Sequence, residues 1–247
     1  MKAYIPCVDG IPFDINFYNA WLGFKAMGVE TVPYFNSHEI DAVTREDIVV
    51  GGIGACQYVL KQFHITVPHI NYPEALQPYM GRGVWNSTIG KVNCDVESWP
   101  VFVKSVEDKQ FTGVVVRSAN DLSGFGIDGD DTPVLCSEPV HFIAEWRCFV
   151  RYGEVLDLRP YKGDWNVAPN FKTIQSAIDA YTDAPAGYGI DFGLTEDGKT
   201  LLVEVNDGYG LGCYGLHHAL YAQLLSARWS ELMGVDDPFG YIGKHRL

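Results

Sequence analysis

The chain has 247 residues, enough to bury a substantial core as one large domain or two small ones. Its net charge of −13 argues against a large nucleic-acid surface, because phosphate binding relies on concentrated Lys and Arg. The apolar stretches are shorter than the roughly 18 residues that a membrane span needs, and the amino terminus lacks the apolar core of a signal peptide, so we expect a cytoplasmic protein that binds neither nucleic acid nor membranes.

The first part of the chain alternates strand and helix patterns. Residues 3–8 predict a strand, and a helix whose apolar side chains recur at helical spacing follows it. Residues 31–35 predict a second strand. Residues 47–50 run into a glycine-rich loop, residues 51–54, which starts another helix and could either receive an anion or form a tight turn. This alternation predicts a small open-sheet α/β domain over residues 1–74.

The rest of the chain is richer in strands. A proline-containing connector over residues 67–79 precedes it. The predicted strands are residues 101–104, 113–118, 141–150 and 155–159, followed by a hairpin within residues 187–216. Arg151 and Glu154 flank a predicted turn and are interpreted as a surface ion pair of small energetic value. A final helix is predicted over about residues 216–233.

The hairpin carries a group of hard oxygen ligands. With a two-residue turn at Asp197 and Gly198, antiparallel pairing places Asp191 opposite Glu204, and Asn206 shares their face. Solvated side chains on an outer face are the alternative interpretation. However, the run around Glu204 is apolar on both faces, so a charge there needs a partner or a metal ion. Two carboxylates and an amide oxygen suit Mg²⁺.

A lysine at the end of a buried strand is a candidate phosphate ligand. Lys104 ends the run WPVFV and adjoins a polar loop that contains Lys109, Thr112 and Gly113. Such a lysine can reach phosphate oxygens as a point charge, although an ordinary strand end would have the same sequence.

The next segment has features that could hold a nucleotide base. Residues 136–140 form an extended, proline-containing stretch whose backbone could meet an adenine edge. Glu145 and Arg147 then alternate on one face of a strand. Arg159 closes the return strand, either as an exposed cation or as a phosphate contact.

Four segments in this order, FVKSVEDKQFTG, SEPVHFIAEWRCFVRYGEVLDLRPYKGD, GIDFGL and LLVEVNDGYGLGCYGL, resemble the ATP-grasp superfamily over about residues 75–235. More specifically, the chain resembles the bacterial and phage clade in which arginine replaces one usual phosphate-binding lysine. The resemblance implies an α/β (α+β) ATP-grasp fold over residues 75–247, with a nucleotide-gripping lobe at about 75–140 and a metal and catalytic lobe at about 141–235. Residues 1–74 would form the pre-ATP-grasp domain.

The resemblance also implies roles for individual residues. Lys104 would grip the phosphates of ATP, and the loop over residues 105–113 would close over them. Arg82 would replace the usual lysine, and Glu145 would bind the ribose. The nucleotide-binding residues implied are Arg82, Lys104, Lys109, Thr112, Gly113, Glu138, Val140 and Glu145, with residues 138–140 as the adenine hinge.

The remaining implied roles concern the reaction. Asp191, Glu204 and Asn206 would hold Mg²⁺, commonly two ions. Arg147 and Arg159, together with Lys104, match cations that lie near the transferred phosphate in the family.

Most ATP-grasp proteins are ligases, so the resemblance implies that a carboxylate is activated as an acyl phosphate and joined to an amine, with release of ADP and phosphate. The substrates would be a small amino acid or peptide. A small-molecule kinase and a non-catalytic nucleotide-binding protein are the alternatives, and the oligomeric state stays open. The glycine-rich residues 207–212 could line the acceptor pocket, with Asp207 receiving an ammonium group, or form a plain turn.

Overall fold

The computed structural model of the protein describes residues 1–40, 42–106, 111–125 and 131–242. The strands are β1 (Lys2–Val8), β2 (Ile11–Pro12), β3 (Glu30–Tyr34), β4 (Ile48–Val49), β5 (Val84–Thr88), β6 (Val101–Ser105), β7 (Val114–Val116), β8 (Pro133–Ser137), β9 (Phe142–Arg151), β10 (Glu154–Gly163), β11 (Gly187–Thr195) and β12 (Thr200–Asp207). The α-helices are α1 (Ile15–Ala26), α2 (Ile53–Gln62), α3 (Gln77–Met80), α4 (Ile89–Cys94), α5 (Phe171–Ala180) and α6 (His218–Met233).

The chain divides into two compact units. The larger unit combines Met1–Tyr79 with Ile143–Leu247, and the smaller unit is Met80–Phe142. The division into a first domain at residues 1–74 and two later lobes stays a prediction. Among the described residues, no helix is long and apolar enough to cross a membrane.

The first sheet of the larger unit is mainly parallel. Strand β1 lies between β3 and β4 and is parallel to both, while β2 pairs antiparallel with its end. Helix α1 begins after Asp14, whose carboxylate accepts a hydrogen bond from the Asn16 N–H. These elements are the open-sheet α/β arrangement that the sequence predicts for this part of the chain.

The second sheet of the larger unit has the order β10, β9, β11, β12. Helix α6 packs against β11 and also against α1. The two helices approach closely at Gly23, where an added Cβ would lie 2.1 Å from the His218 carbonyl oxygen. One hydrophobic core joins the first sheet to α6 and includes Ile5, Phe24 and Trp229.

The tip of the β11–β12 hairpin differs from the two-residue turn predicted at Asp197 and Gly198. The Thr195 N–H donates to the Lys199 carbonyl oxygen at 2.9 Å, and Gly198 has a φ of +79°. A three-residue loop that ends in a left-handed glycine is another common hairpin geometry. An Asp-Gly pair suits both loop lengths, so the sequence alone does not separate them.

An extra residue in β12 restores the predicted pairing. Phe192 lies opposite Leu202, whereas the neighbouring Asp191 lies opposite Glu204, so Val203 has no counterpart on β11. A bulge of this kind shifts the pairing by one residue and is common beside functional sites. The predicted pairing of Asp191 with Glu204 is confirmed, although the route to it differs.

Arg151 corrects the prediction of a surface pair with Glu154. Its side chain is only 4% exposed. It donates to Asp237 Oδ2 at 2.8 Å and to the carbonyl oxygens of Phe239 and Ile242, both at 2.6 Å. The prediction was wrong because the segment after α6 returns to the end of β9, and local spacing does not indicate that return.

The smaller unit is an antiparallel sheet in the order β5, β8, β6, β7. Its core is formed by Ile89, Val92, Val101, Val103, Val116, Leu122, Val134 and Cys136. Strand β8 includes the first two residues of the stretch over 136–140 that the sequence predicts to be extended. Strand β5 and helices α4 and α5 were not predicted from the sequence.

Candidate active site

The polar group on the β11–β12 hairpin forms as predicted. Asp191 is 1% exposed and lies opposite Glu204. The Asn206 amide nitrogen donates to Asp191 Oδ2 and to Glu204 Oε1, each at 3.2 Å. All three side chains therefore share one face of the sheet. Fully buried Tyr188, whose side chain alternates with theirs along β11, points to the other face.

Arg147 on β9 holds Asp191 through two parallel hydrogen bonds. Its Nε donates to Asp191 Oδ1 at 2.8 Å and its Nη2 donates to Oδ2 at 2.7 Å. This fork geometry fixes both the plane and the position of the guanidinium. Gly189 provides the necessary space, because an added Cβ would lie 3.1 Å from Arg147 Cδ. The sequence predicted that Arg147 shares a strand face with Glu145, but it did not identify Asp191 as the partner of Arg147.

The pKa of Asp191 depends on its burial and on the charged side chains around it. Burial raises the pKa of Asp191 to about 6; Arg147 opposes this shift, and the nearby charges of Glu204 and Glu145 add to it. Two carboxylates that face each other across a ladder repel one another. An additional cation on this face would relieve that repulsion.

The donors present fit a magnesium ion. Asp191 and Glu204 offer hard carboxylate oxygens whose repulsion favours a bound cation. Asn206 would offer its amide oxygen only after the side-chain amide turns over, because its nitrogen faces both carboxylates. Among the described residues, no group of three or more His, Cys, Asp or Glu side chains is arranged to hold a metal ion. The proposed site has only two carboxylates, and Mg²⁺ can bind through one or two protein carboxylates with water or phosphate as its other ligands.

Glu145 is held by two donors from β10. Tyr161 Oη donates to its Oε2 at 2.7 Å, and Lys162 Nζ donates to its Oε1 at 2.5 Å. Burial, with a further contribution from the charge of Asp191, raises the pKa of Tyr161, so its phenol stays protonated as a donor. The Tyr161 ring stacks on Tyr214 with centroids 5.0 Å apart. The sequence did not identify Tyr161, Lys162 or Tyr214.

Arg159 has a partner on its own strand. Its Nε donates to Asp157 Oδ2 at 2.8 Å, and its Nη2 lies 2.6 Å from the same oxygen. Arg159 is paired across the ladder with Arg147, so the two side chains share a face. Asp157 is another residue that the sequence did not identify, although its spacing of two from Arg159 on a strand indicates a shared face.

The predicted phosphate residues of the smaller unit lie on β6 and beside β7. Lys104 is half-buried on β6 and is paired with Leu135 of β8. Thr112 and Gly113 are exposed immediately before β7. Lys109 lies outside the described residues. Their proposed contacts with phosphate stay predictions.

The predicted adenine hinge lies after β8. Glu138 Oε2 accepts a hydrogen bond from the Gly83 N–H at 2.9 Å, which joins the hinge to the segment that contains Arg82. Arg82 Nη1 donates to the Met80 carbonyl oxygen at 3.0 Å. Val140 is half-buried. The structure thus brings Arg82 and Glu138 into neighbouring positions within the smaller unit.

Comparison with protein families shows which family the chain belongs to. The family model described as "ATP-grasp domain, R2K clade family 2" matches residues 79–224, which is more than half of the chain. The chain belongs to this ATP-grasp family. The resemblance inferred from the sequence is confirmed, and so is the ATP-grasp fold. A comparison with proteins of curated function returned no match.

Solved structures share the ATP-grasp fold at low sequence identity. D-alanine–D-alanine ligase from Bacillus anthracis complexed with ATP has a TM-score of 0.60 and 11% identity, covering 94% of this chain and 98% of that chain. A RimK domain ATP-grasp protein from Sphaerobacter thermophilus DSM 20745 has a TM-score of 0.57 and 14% identity, covering 91% and 99%. The ATP-grasp ligase PsnB complexed with minimal precursor has a TM-score of 0.50 and 13% identity, covering 94% and 98%. At these identities, the likeness shows the fold alone.

Asp207 has a different position in the ATP-grasp domain from the one predicted. Arg228 of α6 donates to both of its carboxylate oxygens at 2.6 Å and to Glu231 at 2.8 Å. Asp207 follows Asn206 on β12 and therefore points to the opposite face. The structure contradicts the predicted contact with an ammonium group, because the Asp207 carboxylate binds Arg228 on the helix side of the sheet, away from Asp191, Glu204 and Asn206.

The glycine-rich loop after β12 packs against the start of α2. An added Cβ on Gly210 would lie 3.0 Å from the Ile53 nitrogen. Gln57 Nε2 donates to the Tyr209 hydroxyl at 3.1 Å. These contacts lie within the larger unit. They connect α2, in the first part of the chain, with the loop that follows β12.

Proposed function

We propose that the protein is an ATP-dependent ligase that joins a carboxylate to an amine. The observation that carries this proposal is the cluster of Arg147, Asp191, Glu204 and Asn206 on one face of the sheet in an ATP-grasp chain. The cluster combines a fixed cation with hard oxygen donors, which is what the transfer of a phosphoryl group requires.

The proposed reaction has two steps. A carboxylate oxygen of the first substrate attacks the γ-phosphorus of ATP, forming an acyl phosphate and releasing ADP. The nitrogen of the amine then attacks the acyl carbon; phosphate leaves, and the amine loses a proton. Neither step needs a nucleophilic side chain, since both depend on positioning and on stabilisation of charge.

Asp191, Glu204 and Asn206 would hold Mg²⁺, which when bound neutralises part of the phosphate charge. Arg147 would present its guanidinium to the transferred phosphate, oriented by the two hydrogen bonds to Asp191. Arg159 shares that face and is a second candidate cation. Glu145, oriented by Tyr161 and Lys162, would accept hydrogen bonds from the ribose hydroxyls.

The smaller unit carries further residues that we propose bind ATP. Lys104, Lys109, Thr112 and Gly113 would bind the phosphates. The two lysines would supply local positive charge in an otherwise acidic chain. Glu138 and Val140 are the first and last residues of the proposed adenine hinge. The hydrogen bond from Gly83 to Glu138 supports this assignment, because it fixes the hinge beside Arg82.

A small amino acid or peptide is the substrate class that we propose. Two proteins of the same fold support it by their descriptions: one is a D-alanine–D-alanine ligase complexed with ATP, and the other is a ligase complexed with a minimal precursor. The proposal for this chain would have ATP and Mg²⁺ bound by the residues named above.

The test is a screen of amino acids and short peptides with ATP and Mg²⁺, in the presence and absence of hydroxylamine as a general amine. We expect substrate-dependent ADP and phosphate, and a hydroxamate of the activated carboxylate. Release of AMP and pyrophosphate would overturn the acyl-phosphate scheme. A stable phosphorylated product would show a kinase, and nucleotide binding without turnover of any substrate would show a non-catalytic protein.

Matched variants separate the metal assignment from general damage. Glu204→Gln removes one proposed metal ligand with little change of volume, and Glu154→Gln makes the same change at an exposed position in the β9–β10 turn. We expect the first to lower kcat on the order of 10³-fold and the second to leave it unchanged. Equal turnover in both variants would contradict the role of Glu204.

A further inference from the structure

In the turn that precedes α6, a tyrosine has a backbone conformation that is unfavourable for a large side chain. The Leu216 N–H donates to the Cys213 carbonyl oxygen at 2.8 Å, and the two central residues, Tyr214 and Gly215, have φ values of +41° and +80°. Turns with two positive φ angles are dominated by Gly, Asn and Asp. A bulky residue such as tyrosine is strained in this region, and such strain concentrates at functional sites.

Helix α1 holds both ends of this turn. The Cys213 N–H donates to Asn16 Oδ1 at 2.7 Å, and Asn19 Nδ2 donates to the Leu216 carbonyl oxygen at 3.0 Å. The two asparagines are three residues apart and therefore lie on the same side of the helix. The conformation of the turn is thus fixed by a helix from the first part of the chain.

The ring of Tyr214 contacts two elements of the candidate site. It stacks on Tyr161 with an interplanar angle of 17°, and the guanidinium carbon of Arg147 lies 4.8 Å from its centroid. Tyr161 orients Glu145, and Arg147 holds Asp191. A single side chain therefore contacts both hydrogen-bonded pairs on this face of the sheet.

We propose that Tyr214 is a positioning residue, which α1 holds in a strained conformation so that its ring orients Arg147 and Tyr161. The ring limits the positions that the guanidinium can occupy through a cation–π contact, while the stack fixes the phenol that orients Glu145. This inference rests on the proposed function where it assigns Arg147 to the transferred phosphate. It goes further by giving α1 a role in arranging the reacting groups.

The chain contains a matched control for this turn. Tyr152 and Gly153 join β9 to β10 and have φ values of +51° and +75°. The Arg151 guanidinium lies 4.9 Å from the Tyr152 ring. Tyr152 is 49% exposed and Tyr214 is 46% exposed. Both turns therefore place a strained, half-exposed tyrosine beside an arginine, but only Tyr214 contacts the candidate site.

The kinetic test compares Tyr214→Gly, Tyr214→Phe and Tyr152→Gly. We expect Tyr214→Gly to lower kcat by about 10- to 100-fold, because small displacements of reacting groups have effects of this size. Its KM for ATP should stay within about threefold, and its melting temperature should not fall, because glycine relieves the positive φ. Tyr214→Phe should keep most of the activity, and Tyr152→Gly should keep all of it.

Two kinetic outcomes would overturn the proposal. Unchanged kcat in Tyr214→Gly would show that the ring does not position the reacting groups. Equal losses of kcat in Tyr214→Gly and Tyr152→Gly would show a general effect of altering a tyrosine turn rather than a local role.

A second measurement does not depend on turnover. The Nε–H resonance of Arg147, assigned by its loss in Arg147→Lys, should carry a ring-current shift from Tyr214. That shift should persist in Tyr214→Phe and Tyr152→Gly and disappear in Tyr214→Gly. If it persists in Tyr214→Gly, the positioning role is wrong. Absence of ligase activity in the unaltered protein would contradict the proposed function, while the resonance would still decide the position of Arg147.

Discussion

An arginine forms two hydrogen bonds to an aspartate on each face of the β11–β12 hairpin. Asp191 is buried and Asp207 is partly buried, and the two pairs also differ in their surroundings. Arg228 binds Asp207 and also Glu231, so its donors are used within the contact between β12 and α6. Arg147 donates two parallel hydrogen bonds to Asp191, beside Glu204 and Asn206. The Arg228–Asp207 pair completes the packing of β12 against α6. The Arg147–Asp191 pair lies beside two more polar side chains and is therefore suited to binding a metal ion and phosphate.

Burial has a similar effect on the two aspartates. It raises the pKa of Asp207 as it raises that of Asp191, and in each case the arginine opposes the shift. The direction of the pKa shift therefore does not distinguish the two aspartates. The two pairs differ because Glu204 and Asn206 lie beside Asp191 and add side chains that could bind a metal ion on that face.

The largest expected effect is on turnover, from Glu204→Gln. Loss of a metal ligand should lower kcat on the order of 10³-fold, because metal stabilisation of the transition state amounts to several kcal/mol. The urea midpoint of unfolding should change little, since Glu204 is only partly buried. Parallel kinetic and denaturation measurements test this, and a large loss of stability with retained kcat would contradict it.

The largest expected effect on stability is from Arg228→Met. It leaves the partly buried Asp207 carboxylate without its cation and should lower the free energy of unfolding by about 3 kcal/mol, the lower end of the range for buried pairs. The folded fraction should keep its kcat, because the pair lies on the face opposite Asn206. Urea denaturation with active-site titration measures both quantities.

A double variant sharpens this result. Adding Asp207→Asn to Arg228→Met removes the unpaired charge and should recover part of the lost stability. A double variant no more stable than the single one would show that the loss came from packing rather than from the buried charge.

A smaller effect is expected from Arg147→Lys, which keeps the charge but loses the fork. We expect kcat to fall by about 10- to 100-fold, because lysine cannot make the two parallel hydrogen bonds that orient the cation. Arg228→Lys is the matched control on the other face and should change stability more than kcat. The comparison fails if both variants lose activity to the same extent.

The smallest effect is expected from Gly189→Ala. The new methyl group would lie 3.1 Å from both Arg147 Cδ and Leu211 Cδ1, so the arginine must move by a few tenths of an ångström. We expect a loss of kcat of about threefold to tenfold, by the same sensitivity to position. Gly54→Ala in α2, where an added Cβ meets nothing within 4 Å, should leave kcat unchanged.

Local patterns were sufficient for much of the fold and for one edge of the site. Strand alternation placed Glu204 and Asn206 on one face, and hairpin pairing placed Asp191 opposite Glu204. The pairing was correct for a partly wrong reason, because the three-residue loop and the bulge at Val203 offset each other. Turn residues specify a hairpin more reliably than its loop length.

The partners of the charged residues could not be predicted in the same way. Arg147 and Asp191 are separated by 44 positions, and Arg228 and Asp207 by 21 positions that include a turn and part of a helix. Tyr214 reaches its place through a backbone conformation that its residue type does not favour. These contacts depend on how elements pack, which alternation and spacing do not specify.

The contact between Asn16 and Cys213 joins residues 197 positions apart, and it has a consequence for synthesis of the chain. The larger unit is discontinuous, because Met80–Phe142 interrupts it. The interrupting unit can fold as soon as it leaves the ribosome, since all of its strands are by then available. Helix α1, in contrast, must wait for α6 with its apolar side uncovered, so nascent chains that stop before residue 218 should depend on chaperones far more than complete ones.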